Sequence, residues 1–134
     1  MQDLAAYAAI FTTYVTLNLA WVSLFAMEMY RRELSALLVD KPRAPMAGLF
    51  YLLHAAGVLI LAVQPALATG DWSRAALSGA LFGLCTYGTY DLTNAATLRR
   101  WPGNLVVIDL MCGVVLTALA ATAGFVAGRA VGAG

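Results

Sequence analysis

Charge is scarce in this sequence. Only 11% of its 134 residues are Asp, Glu, Lys or Arg, against roughly 25% in ordinary soluble domains, which excludes a soluble or disordered chain. A net charge of +1 leaves no basic surface to hold phosphate and excludes a nucleic-acid partner. There is a single histidine, His54, and no HxxxH-type spacing, so no metal site is expected. Neither a nucleophile–base pair nor a cofactor motif is visible, and the alternating pattern of barrel strands is missing. Cys85 and Cys112 both fall in apolar stretches and read as small buried hydrophobes rather than as a disulfide.

Apolar residues fill the space that charge leaves. They make up 62% of the chain, with a mean hydropathy of +0.79. The charges cluster so as to leave four windows, at about 4–29, 44–68, 74–98 and 103–128, each long enough for the roughly 20 residues that a membrane-spanning helix needs. The expected fold class is therefore all-α, an integral membrane bundle of four transmembrane helices forming one domain over residues 1–134. Pro45 and Pro65 close the second window at its ends, where a missing N–H is easiest to tolerate. Arg31, Arg32, Lys41 and Arg43 follow the first window, and Arg99 and Arg100 the third. The opposite side carries Arg74 and Arg129, so the positive-inside rule puts both termini on the non-cytoplasmic side. The first window lacks a basic flank and exceeds a signal-peptide core in length, so it reads as a retained helix. Trp72 and Trp101 sit at window ends as interfacial anchors, whereas Trp21 lies inside the first.

Small residues recur every four positions on two windows. Gly79 and Gly83 continue from Ala75, and Gly124 and Gly128 continue from Ala120 towards Gly132. Such stripes let backbones approach closely. They serve packing within the bundle, or contact with a second copy or a membrane-protein partner, and the C-terminal stripe is the better placed of the two for an external contact.

An ionisable side chain inside a span is costly and so marks a functional site by default. There are two, Asp91 and Asp109, roughly 10 and 9 Å from the cytoplasmic ends of their helices, with Asn18 and His54 at about 14 to 16 Å. Each of the four helices thus offers one group to a polar layer. Tyr87, Asp91 and Asn94 share a stripe, as do Asp109, Gly113 and Thr117, and Tyr14, Asn18, Trp21 and Phe25. No Lys or Arg lies at this depth, so the two aspartates are not expected both to stay ionised; at least one holds its proton more tightly than usual or shares one with its neighbour or with His54. Two readings stay open. One is a site in which Asp91, Asp109 and His54 handle a proton or ligand while Asn18, Tyr87 and Asn94 orient it. The other is a hydrogen-bond network that fixes helix register, with an aspartate reaching Arg99 or Arg100.

The segment Thr13–Leu19 echoes Thr86–Leu92, with Tyr14 opposite Tyr87 and Asn18 opposite Asp91, as parallel helix-hairpin repeats would. The run Tyr87-Gly-Thr-Tyr-Asp-Leu-Thr-Asn94, continued by Leu98-Arg-Arg-Trp-Pro102, resembles the signature of the domain of unknown function 2177 family of small bacterial membrane proteins. Trp21, Tyr30-Arg31-Arg32, Gln64-Pro65 and Ile108-Asp109 extend the resemblance over nearly the whole chain. It implies a four-span protein of the bacterial inner membrane and brings no established activity or cofactor. In that family an acidic residue often stands where this chain has Asn18, and an aromatic one where it has Cys112.

Because all the polar chemistry lies in the spans and no loop is long enough for a lid, the chain reads as a non-enzymatic binding protein or accessory subunit. A proton- or ion-coupled transporter, or a small enzyme acting on a lipid-like substrate, are the alternatives. The expected surroundings are the lipid bilayer, with the basic connector at Arg31–Arg43 against anionic head groups.

Overall fold

The structure, a computed structural model, describes residues 1–133. Four helical rods carry the fold, α1 (Gln2–Leu34), α2 (Ala44–Thr69), α3 (Trp72–Thr97) and α4 (Gly103–Gly132), with no strand among the described residues. Three of them, α1, α2 and α4, are long and apolar enough to cross a membrane. The further helix, α3, is long enough at 26 residues, but Asp91, Asn94 and a series of Thr and Tyr residues make it the more polar one.

Two rods contain a wide turn. Val22–Ala26 in α1 and Leu59–Val63 in α2 are π-helical, each absorbing one extra residue without ending the helix. The turn in α2 directly precedes Gln64-Pro65. Pro65 has no N–H to give to the preceding turn, and the wide turn carries the helix through it to Thr69 instead of closing there. Likewise α1 runs on to Leu34, so Arg31 and Arg32 are helical and the connector shrinks to residues 35–43.

The α2–α3 connection is a tight reversal. Gly70 takes the left-handed conformation, φ 71°, which favours glycine. Asp71 then caps α3, its Oδ1 accepting from the Ser73 backbone N–H at 2.9 Å and the Ser73 hydroxyl at 2.6 Å. The Ser73 hydroxyl, helped by the backbone N–H groups and the Arg74 charge, holds the Asp71 carboxyl below its ordinary range.

Helix α4 is the hub, packed along both α1 and α3. The first half of α2 lies against α1 and its second half against α3. Glycine makes the closest approach possible. A methyl group at Gly83 would collide with the Gly113 carbonyl and Thr117, and one at Gly79 with Ala121; Gly124 receives Ile10 and Gly128 receives Leu67. Both small-residue stripes are therefore used inside the chain. In the C-terminal stripe, Gly124 and Gly128 are covered by α1 and α2.

Candidate functional site

Where α2 leans away from α3, the bundle keeps a cavity of about 410 Å³. All four helices line it: Asn18, Val22 and Tyr30 from α1, Phe50 from α2, Thr86, Tyr87 and Tyr90 from α3, and Asp109 from α4. Its polar groups fall into two tiers rather than the single layer expected.

The outer tier is acidic. Asp109 is 3% exposed, and both of its oxygens accept the Tyr30 hydroxyl, at 3.0 and 3.1 Å. Asp91 is fully buried behind it, beside the Asp109 carboxyl and the Trp101 indole. Asp91 and the Trp101 Nε1–H stand beside each other without a hydrogen bond of good geometry, and the neighbouring Asp109 carboxyl is the group with which Asp91 can share a proton. The Tyr90 ring stands edge-on to Trp101 at 5.6 Å. No arginine reaches the pair. The one ion pair among the described residues is Arg32–Glu28, 3.4 Å, on the exposed face of α1, so the expected reach to Arg99 or Arg100 does not occur.

The inner tier is neutral and aromatic. Tyr14 and Tyr87 share a hydrogen bond between their hydroxyls, so the two tyrosines that align in the sequence echo meet each other. The Asn18 amide donates to the Tyr87 hydroxyl at 3.2 Å and accepts from the Tyr51 hydroxyl at 2.8 Å. His54 lies deeper, with Nε2 at 3.1 Å from the Thr117 hydroxyl, packed against Tyr14 at 4.4 Å, Phe82 at 5.2 Å and Phe50 at 5.3 Å. Thr117 is two turns beyond Asp109 on α4, about 12 Å along the axis. The imidazole accordingly belongs to the inner tier and shares no hydrogen bond with either aspartate.

Of the predicted residues, Asn18, Tyr87 and Asp109 line the cavity, Asp91 backs it, and His54 sits apart among rings. Asn94 is half-buried and neither lines the cavity nor makes a side-chain hydrogen bond; its carbonyl ends α3 by accepting the Leu98 N–H at 2.9 Å. Sequence reasoning missed Tyr30 and Phe50, which line the cavity, and Tyr51, which donates to Asn18. Tyr30 lies twelve positions after Asn18, which on a regular helix turns it about 120° away, and the extra residue of the wide turn brings it back to within about 20°. That interruption leaves no periodic trace in the apolar sequence around Val22–Ala26. No three His, Cys, Asp or Glu side chains come together as a metal set among the described residues.

Comparison with known proteins identifies the chain at the level of the family, as a membrane protein. The family described as "Predicted membrane protein (DUF2177)" matches residues 3–126. No curated protein and no solved structure matches the chain.

Proposed function

The chain belongs to the DUF2177 family of predicted membrane proteins, and we propose that it is a four-span, non-enzymatic binding protein that holds the head of an amphiphile inside the bilayer. The observation that carries this reading is the cavity itself, whose wall combines the Asp109 carboxylate, the Asn18 amide and tyrosine hydroxyls with apolar Val22 and Phe50. Ligand sites are commonly apolar hollows of this size with a few convergent polar groups.

In this reading α3 is the remaining span. Its threonines satisfy themselves: Thr86, Thr89 and Thr97 donate to carbonyls of the preceding turn at 3.2, 2.7 and 2.8 Å, and Thr93 bonds the Thr89 carbonyl. A hydroxyl closed in this way costs little in hydrocarbon. The Lys and Arg distribution supports termini on the non-cytoplasmic side, and the family resemblance supports a bacterial inner membrane, with residues 1–134 read as one domain. A binding role is favoured over catalysis because the His54–Thr117 pair is buried away from the cavity, out of reach of a molecule bound there. The register-fixing network and the binding site are then two tiers of one arrangement.

Native mass spectrometry of the protein extracted in mild detergent tests this. The wild-type chain retains an amphiphile adduct, and Asp109→Asn and Tyr30→Phe release it while remaining folded. Equal retention by wild type and both variants, or no adduct in any of them, would refute the site.

A further inference from the structure

Resting on that binding site, we propose that the molecule it takes carries an organic ammonium cation, quaternary or protonated, as its polar head. Four aromatic residues, Tyr30, Phe50, Tyr87 and Tyr90, line the cavity together with one carboxylate, and no Lys or Arg is among the lining residues. Aromatic faces attract ammonium groups, more strongly when water is excluded.

The hydrogen-bond inventory narrows the choice further. The Tyr30 hydroxyl is already given to Asp109, and the Tyr14–Tyr87 and Asn18–Tyr87 bonds engage the hydroxyls and the amide of the inner tier. An anionic head such as phosphate would meet a wall with a carboxylate and no cation, where the Tyr30 hydroxyl and the Asn18–Tyr87–Tyr14 chain are already engaged. What the wall offers in excess is acceptor capacity and negative charge. Asp109 stands at the surface of the cavity, and directly behind it is the fully buried Asp91 carboxyl. A cation at Asp109 is attracted by the negative charge that the carboxyl pair keeps, in a medium that screens poorly. A bare metal ion fits less well, since no third acidic, His or Cys side chain joins the pair among the described residues. The cavity, about 410 Å³, also exceeds an ion and suits a head group of several carbons.

Equilibrium dialysis of the purified protein in a neutral maltoside detergent tests the inference, with radiolabelled benzyltrimethylammonium as the probe and neopentylbenzene as its uncharged isostere. The cation should bind saturably and the isostere at least about tenfold more weakly. Asp109→Asn should weaken cation binding at least about tenfold. Phe50→Leu and Tyr90→Leu should each weaken it by about three- to tenfold without altering the isostere's affinity. If Asp109→Asn fails to fold, the two ring variants and the isostere comparison decide alone. Equal binding of cation and isostere, or indifference to these substitutions, overturns the inference. Octyl glyceryl ether, a neutral polar probe, separates it from the broader reading. If the ether binds in an Asp109-dependent way and the ammonium does not, the cation is wrong and the binding site stands. If neither depends on Asp109, both fall.

Discussion

The ring of Tyr87 lies directly on Gly113, so closely that a methyl group on that glycine would overlap the ring. This contact places the Tyr87 hydroxyl where both Tyr14 and Asn18 reach it. Gly113→Ala should push the ring aside and break the inner tier, destabilising the protein by about 1–3 kcal/mol. Unfolding in mixed micelles would measure the loss, and a stability equal to wild type would show that the ring can move without consequence.

A neighbouring glycine is more constrained. At Gly83 the added methyl meets the backbone carbonyl of Gly113, which cannot swing away as a side chain can. Gly83→Ala should therefore force α3 and α4 apart and cost about 3 kcal/mol. Gly48 has nothing within 4 Å of the same methyl, and Gly48→Ala should stabilise α2 by up to about 1 kcal/mol. Similar effects at the two positions, measured by the same unfolding assay, would contradict the packing described.

His54 and Thr117 form a pair whose members depend unequally on each other. Thr117→Val leaves the imidazole, already unpartnered at Nδ1, without any hydrogen bond and should cost about 1–3 kcal/mol. His54→Phe should cost less, because the Thr117 hydroxyl can turn to the carbonyl one turn back. The double variant should lie within about 1 kcal/mol of wild type, since both polar partners are then gone together. A double variant with the two single losses summed would rule out the coupling.

Asp71 provides a pH test outside the spans. Its carboxyl titrates below its ordinary value of 3.8 when it caps α3, so the ionised form is the one the fold favours. The stabilisation is complete above that ordinary value and is lost as the pH falls through the lower, folded-state value. Asp71→Asn should flatten this acid-side decline in melting temperature. An unchanged acid profile in the variant would assign the decline to other groups.

Fusions at the C-terminus test the proposed orientation. Alkaline phosphatase should be active there and green fluorescent protein dark, as expected of a non-cytoplasmic end. The reverse pattern would invert the topology and leave the cavity near the opposite face.

The helices were legible in the sequence because charge clusters and apolar windows act locally, and Pro45, Arg99 and Arg100 mark real helix limits. Asp91 and Asp109 were legible for the same reason, as each is conspicuous in its own window. The partners of each group were not. That Tyr30 rather than Arg99 or Arg100 reaches Asp109 depends on a wide turn that an apolar sequence does not announce. That His54 turns to Thr117 depends on how closely Gly83 lets α3 approach α4. Depth arithmetic along straight helices put His54 only about 4 to 7 Å deeper than the aspartates, whereas its partner Thr117 lies about 12 Å from Asp109 along α4.

The hub position of α4 has a consequence for biogenesis. It is the last of the four helices to be synthesised, yet α1 and α3 find their principal partner in it. In the proposed four-span arrangement, three inserted helices must wait in the bilayer with their small-residue and acidic faces uncovered until the fourth arrives. Asp91 in particular has no neighbouring carboxyl until Asp109 emerges. In that arrangement the bundle closes only with the final insertion, and a chain interrupted before Gly103 would leave the α4-facing side of α3 uncovered.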